Sequence, residues 1–165
     1  MHYEFFIEGE PVAQSRPRFT TRGGYPRAID TDASRDYKDC IYEIASKEFE
    51  RHGKQMLEGS VELRMIVYRP IPQSWSNRKK NLASSGIINP TTIPDLDNYI
   101  KIVLDGIGRK HMPKIIFNND SQITSIYAIK KYASDSPYAN FNKVGIRVVL
   151  SDMTTERSNT RGLKV

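Results

Sequence analysis

Residues 95–107, which read DLDNYIKIVLDGI from Asp95 to Ile107, carry the clearest structural pattern in the chain. Apolar side chains recur there at helical spacing, which predicts a helix from about Leu96 to Ile107. The predicted buried stripe of this helix consists of Leu96, Ile100, Val103, Leu104 and Ile107. Gly106 and Gly108 are expected to mark its C-terminal end.

Alternating apolar and polar residues predict strands on both sides of this helix. They run from Tyr3 to Glu8, Ser60 to Arg69, Ser121 to Tyr132 and Lys143 to Leu150, and the last two are expected to form an antiparallel pair. A further helix is predicted to start at Asp32 or Ser34 and to end near His52-Gly53, with Cys40 in the core. The order β-α-β-α-β-β predicts an α+β fold in which two helices cover a single mixed β-sheet.

The composition is that of a globular protein. A length of 165 residues with 38% hydrophobic residues suffices for one domain, expected over residues 1–150 and followed by a polar C-terminal tail over 151–165. No apolar run reaches the roughly 20 residues of a membrane span. The N-terminus lacks the pattern of a signal peptide, and the single cysteine suits a reducing compartment. We therefore expect a cytoplasmic protein without membrane attachment.

Two segments are basic and contain no acid, namely residues 11–29 and 69–94. With a net charge of +6, they favour a polyanionic partner. The candidate phosphate contacts are Arg16, Arg18, Arg69, Lys79 and Lys80. A solvated loop without a ligand is the alternative for each segment. The second segment shows little regular pattern, and residues 80–89 fit a disordered insertion nearly as well as a functional loop.

Asp95 and Asp97 stand where the second basic segment enters the predicted helix. Two carboxylates separated by one residue can face a common point, and Mg²⁺ prefers such oxygen ligands while keeping other positions for water and phosphate. Lys101 shares a helix face with Asp97 and can stabilise charge on a phosphate. Asp120 can reach the same point if the strand that follows it packs beside the helix.

An ordinary helix start explains the same residues without a metal. Asp95 would then be the N-cap, Asp97 would favour the helix dipole, and Asp97 would form a surface ion pair with Lys101. Taken alone, an Asp-x-Asp pattern is too common to decide between the two interpretations.

Four motifs, occurring in the right order, resemble the RusA family of Holliday junction resolvases. They are residues 95–105, Asn119-Asp120-Ser121-Gln122-Ile123, Gln14-Ser15-Arg16-Pro17-Arg18 and Tyr68-Arg69-Pro70-Ile71-Pro72. The resemblance spans about Tyr3 to Leu150. It implies a homodimeric endonuclease that makes paired, symmetric nicks across a four-way DNA junction with Mg²⁺ or Mn²⁺.

The resemblance also implies roles for individual residues. The metal-binding acids fall on Asp95, Asp97 and Asp120, and the essential lysine falls on Lys101. Family members often carry two acids where this chain has Asn119-Asp120, so Asp120 alone is taken as the ligand there.

The resulting hypothesis is an endodeoxyribonuclease of DNA recombination and repair, in which a metal-activated water attacks a phosphodiester in line. Asn98 would orient a carboxylate, unless it caps the helix. A catalytically inactive branched-DNA-binding module of the same fold is the leading alternative, and a basic interaction domain is another. A phosphatase or nucleotidyl transferase would need a phosphate-cradling loop, for which Gly23-Gly24 is too slight.

Overall fold

The computed structural model describes residues 1–15, 18–20, 27–134 and 143–153, with the backbone alone at 18–20 and 27–29. Its elements, in chain order, are β1 (His2–Glu8), β2 (Arg18–Thr20), β3 (Arg27–Ile29), α1 (Asp32–Arg51), β4 (Val61–Arg69), α2 (Asn77–Ser84), α3 (Leu96–Ile107), β5 (Ile123–Tyr132) and β6 (Gly145–Asp152). A short 3-10 turn, Asp120–Gln122, leads into β5.

The main sheet has four strands in the order β1-β6-β4-β5. Since β6 runs antiparallel to β1 and β4 while β5 runs parallel to β4, the predicted α+β fold with a mixed sheet is confirmed. The prediction that the last two strands pair with each other is wrong, because β4 lies between them. That strand buries Val61, Leu63, Met65 and Val67 completely, and such an apolar strand packs best with neighbours on both sides.

Helices α1 and α3 lie side by side against the sheet, α1 near the β1 edge and α3 near the β5 edge. A single core joins the sheet residues Tyr3 and Leu63 to Ile41 of α1 and Val103 of α3. Gly106 allows the two helices to touch, because a Cβ at this position would lie 2.8 Å from the Cβ of Ile41. Gly106 is therefore a packing position in the last turn of α3, and Gly108 is the C-cap at the predicted end of the helix.

The predicted boundaries of α3 are confirmed, but the helix buries a different face from the predicted one. Tyr99 and Ile102 are fully buried, whereas the predicted Leu96, Ile100 and Leu104 are only half-buried at the edge of the core. Asp97 and Lys101 lie on the solvent-exposed side of the helix.

Helix α1 buries polar residues that an apolar pattern does not reveal. Its N-cap is Thr31, whose hydroxyl accepts a hydrogen bond from the backbone N–H of Ser34. Ser34 and Lys38 belong to the buried face. The predicted core position of Cys40 is wrong, since Cys40 is exposed. The apolar pattern therefore assigned Cys40 to the wrong side of the helix.

Three of the described elements lie inside the two basic segments. Strands β2 and β3 form a separate hairpin within residues 11–29. Helix α2 begins after the N-cap Ser76 and buries only Ala83, so it lacks the apolar repeat by which a helix is found in a sequence. The absence of regular structure predicted for residues 69–94 is therefore wrong over 77–84.

The ends of the chain bear on two further expectations. Strand β6 continues to Asp152, and residues 154–165 of the predicted tail lie outside the described residues. In the part of the chain that the structure describes, no helix has the length and apolar character needed to cross a bilayer.

Candidate active site

The first turn of α3 presents the predicted carboxylates to solvent. Asp95 occupies the N-cap position in extended backbone (φ −72°, ψ 154°), yet its side chain makes no capping hydrogen bond. Asp95, Asp97 and Lys101 are all exposed. None of their side chains forms a hydrogen bond or ion pair with another described residue. The capping bond and the ion pair of an ordinary helix start are thus missing, and the three side chains are available to a ligand.

Two cationic side chains of the sheet hold the backbone just ahead of Asp95. The guanidinium of Arg69 donates from Nη1 to the carbonyl oxygen of Ile93 at 2.7 Å. The ammonium of Lys130 donates to the carbonyl oxygens of Thr92 and Pro94, at 3.0 Å each. Three consecutive carbonyls of residues 92–94, which we call the 92–94 segment, are therefore fixed by the sheet.

Sequence reasoning assigned Arg69 to DNA phosphate and missed Lys130. Arg69 lies two residues after Val67 in β4, and Lys130 is paired with Val67 in the parallel register of β5, so both continue the core-facing side of the sheet. A lysine at a core-facing position of a strand is seldom buried without a partner. The place of Lys130 in the alternating pattern of β5 could therefore have identified it as a lysine with a structural partner.

The first basic segment begins beside the same turn of α3. The backbone N–H of Gln14 donates to the carbonyl oxygen of Asn98 at 3.0 Å. The segment that carries Arg16 and Arg18 therefore leaves from the start of α3, although the side chains of these two arginines lie outside the described residues.

The second basic segment is anchored at the end of β5. The ring of Trp75 packs edge to face on Tyr132, with 5.3 Å between centroids. The ammonium of Lys79 lies 3.7 Å from the centroid of the Trp75 ring, close enough for a cation–π interaction. Helix α2, with Lys79 and Lys80, thus packs near the strand end that carries Lys130. The Trp75 ring is therefore used in packing at the end of β5.

A pocket of about 720 Å³ opens along α3 towards its C-terminal end. Asp120 lies in its wall, close to the helix end, since a Cβ on Gly108 would stand 3.1 Å from Asp120 Oδ1. Lys101 and Asp105 line the same pocket. The structure therefore brings Lys101 and Asp120 to one cavity, whose lining does not include Asp95 or Asp97.

The helix axis separates the predicted acids. A rise of 1.5 Å per residue puts the backbone of Gly108, beside Asp120, roughly 16 Å along the axis from that of Asp97. Within residues 1–15, 30–134 and 143–153, no three aspartate, glutamate, histidine or cysteine side chains are grouped as a metal site. That Asp120 shares one metal with Asp95 and Asp97 stays a prediction.

Asp120 is electrostatically unusual. Partial burial, and then repulsion by the carboxylate of Asp105, raise the pKa of Asp120 above its ordinary value, and Lys114 opposes this rise. A cation bound nearby would favour the charged form of Asp120.

A buried ammonium connects the pocket to the base of the first basic segment. Lys38, only 5% exposed, donates from Nζ to Asp30 at 2.8 Å and to Asp105 at 2.9 Å. Gln14 also donates to Asp30, at 2.9 Å. The hydrogen bond from Lys38 is the main cause that lowers the pKa of Asp30. Gln14 and Asp30, which flank the segment, are thereby linked through Lys38 to Asp105 in the last turns of α3. Sequence reasoning missed this cluster, because its members are far apart in the chain.

The remaining candidate residues make fewer contacts with the proposed site. Asn98 is half-buried in the first turn of α3, where its backbone carbonyl accepts from Gln14. Asn119 accepts from the backbone N–H of Ser121 and so caps the turn that contains Asp120. This gives Asn119 a structural role in that turn. His111 is exposed in the pocket wall.

Two comparisons with known proteins bear on the identity of the chain. The sequence model of the family described as endodeoxyribonuclease RusA matches residues 8–144, which include every predicted site residue. The chain is also similar to a protein of Bacillus subtilis (strain 168) named uncharacterized protein YqaN, with 36% identity over 136 residues, 81% of this chain and 89% of that protein. The chain therefore belongs to the RusA family, a family of endodeoxyribonucleases that resolve Holliday junctions.

Proposed function

We propose that this protein is a divalent-metal-dependent endonuclease that resolves four-way DNA junctions by paired, symmetric nicks in recombination and repair. Asp95, Asp97 and Asp120 would bind Mg²⁺, or Mn²⁺ in its place, and Lys101 would act on the scissile phosphate. The proposal joins membership of the RusA family to the chemistry of the side chains around α3.

One observation carries the proposal. The carboxylates of Asp95 and Asp97 and the ammonium of Lys101 project from the start of α3 without a hydrogen bond or ion pair to any other described residue. Side chains that serve only the fold would be expected to use these charges in capping or pairing. Three charges in a single two-turn stretch that have no partner among the described residues instead suit an external ligand.

The donor set fits a hard cation. Mg²⁺ is commonly held by one or two carboxylates together with phosphate oxygens of the substrate, and it retains several waters. Asp95 and Asp97 supply such a pair, whereas Asp120 lines the pocket near the other end of α3 and would have to move to join them. When bound, the ion would lower the pKa of the attacking water and neutralise charge on the phosphodiester.

The remaining charges of the chain have roles in holding DNA. Lys101 would donate to an oxygen of the phosphate and stabilise the negative charge that grows there in the transition state. Arg16, Arg18, Lys79 and Lys80 would contact phosphates on either side, since the first segment begins beside the first turn of α3 and the second is anchored at the end of β5. Arg69 would contribute less to DNA, because its guanidinium already donates to Ile93.

We further propose that the active species is a homodimer. A four-way junction has two-fold symmetry, and a two-fold dimer would place two copies of the site on equivalent strands. Paired nicks at symmetric positions follow from this arrangement.

Metal removal tests the proposed function. We expect a labelled four-way junction to be cut at symmetric positions in Mg²⁺ and left intact in EDTA, while a linear duplex with the same arm sequences is cut far more slowly in either condition. Denaturing gels of both substrates over a Mg²⁺ series give the measurement. Junction binding without incision at every Mg²⁺ concentration would contradict the proposal and favour the inactive DNA-binding module.

A further inference from the structure

Lys130 is a charged residue in a core-facing position of an edge strand. Its register partner on β4, Val67, is fully buried. A lysine there loses hydration, and that cost must be offset by hydrogen bonds to acceptors that it can reach. The ammonium of Lys130 meets two of them, the carbonyl oxygens of Thr92 and Pro94, at 3.0 Å each.

The acceptors belong to backbone that no helix or strand satisfies. The 92–94 segment lies between α2 and α3 and has no regular secondary structure. Its middle carbonyl, that of Ile93, accepts from Arg69 of the neighbouring strand at 2.7 Å. The side chain of Ile93 is 80% exposed and packs little against the protein, whereas Pro94 is half-buried. The hydrogen bonds from the two cations of the sheet are the polar contacts that hold the segment.

The segment leads directly into the proposed metal ligands. Pro94 precedes Asp95, whose carboxylate lacks a capping bond that would orient it. The direction of this side chain is therefore set by the backbone that enters the helix, and Lys130 bonds to the carbonyl immediately before it.

We propose that Lys130 is a positioning residue of the metal site. By holding the carbonyls of Thr92 and Pro94, it fixes the entry of the chain into α3 and with it the carboxylates of Asp95 and Asp97. This inference rests on the proposed function, because it assumes that these carboxylates bind the metal. Lys130 itself touches neither the metal nor the phosphate.

Substitution of Lys130 with methionine removes the ammonium while keeping the length of the side chain. Loss of an outer partner of a metal ligand commonly weakens metal binding by about 10- to 100-fold, and we expect Lys130→Met to weaken Mn²⁺ binding within this range. Lys130→Arg keeps donors in reach of the carbonyls and should recover most of the affinity. Lys131→Met is the matched control, since Lys131 is the next residue of the strand, is exposed, and forms no hydrogen bond or ion pair with a described residue.

Three measurements on the full chain separate the possible outcomes. Mn²⁺ binding is followed by the EPR signal of free Mn²⁺, without DNA. Hydrogen–deuterium exchange reports opening of residues 92–97 without metal, and it should rise in Lys130→Met and stay unchanged in Lys131→Met. Junction binding in EDTA, over a series of salt concentrations, reports contacts with DNA phosphate.

The outcomes distinguish this inference from the proposed function. Weaker Mn²⁺ binding and faster exchange in Lys130→Met, with unchanged junction binding, support it. Wild-type Mn²⁺ affinity in Lys130→Met overturns it. A loss of junction binding alone, with a smaller salt dependence, also overturns it, because Lys130 would then be a phosphate contact. If the wild-type protein binds no Mn²⁺ with or without junction DNA, the proposed function fails first, and this inference falls with it.

Discussion

Asp97→Asn is expected to slow junction cleavage at saturating Mg²⁺ by at least about 100-fold, the upper end of the loss caused by removing an outer partner of a metal ligand. The amide has nearly the size of the carboxylate but lacks its charge, so the proposed ligand is weakened while the first turn of α3 is kept. Single-turnover cleavage of a labelled junction measures the effect. Junction binding in EDTA should be unchanged, because Asp97 is proposed to hold metal and not DNA.

A matched control for this substitution lies on α1. Asp36 is exposed and forms no ion pair with a described residue, so Asp36→Asn makes the same chemical change away from the site. It should cut at the wild-type rate. Cleavage by Asp97→Asn at the wild-type rate would remove Asp97 from the mechanism.

Lys101→Met should lower the rate of the chemical step by about 100- to 1,000-fold, the usual loss when one donor to a developing negative charge is removed. Lys101 is exposed and unpaired within the described chain, so the loss should not reflect unfolding. The readout is the single-turnover rate with protein in excess, together with junction affinity in EDTA. Lys47→Met on α1 serves as control, because Lys47 is likewise exposed and unpaired there.

The division of the Lys101 effect between rate and binding is decisive. A residue that acts in the transition state lowers the rate at saturation, whereas an ordinary phosphate contact lowers affinity and reduces its salt dependence. A Lys101→Met protein that binds weakly but cuts at the normal rate when saturated would contradict the proposed role.

The sequence predicted the elements of the fold better than their arrangement. The period of α3 located the helix at Leu96–Ile107. Seven of its twelve residues are apolar, so the pattern alone could not decide which side faces the core, and Tyr99 and Ile102 were left out of the predicted stripe. Strand pairing depends on contacts between distant segments. For that reason, the alternation of apolar and polar residues could not predict that β4 lies between β5 and β6.

In the candidate site, too, local features were predicted from the sequence and contacts between distant segments were not. Asp95, Asp97 and Lys101 were found because their spacing is local and matches a family motif. Lys38 and Lys130 were missed because a buried cation is understood only with its acceptors, and Asp105 and Thr92 are 67 and 38 residues away along the chain. The place of Asp120 beside Gly108 likewise follows from how β5 packs on α3, which no short motif encodes.

The location of the metal is the most direct test of the account. Crystals of the wild-type protein soaked in Mn²⁺ would give an anomalous difference map in which the ion stands out from the protein atoms. We predict a peak in bonding contact with carboxylate oxygens of Asp95 and Asp97 at the start of α3. A peak only in the pocket formed by Asp30, Asp105 and Asp120, with none at Asp95 and Asp97, would contradict the proposed site.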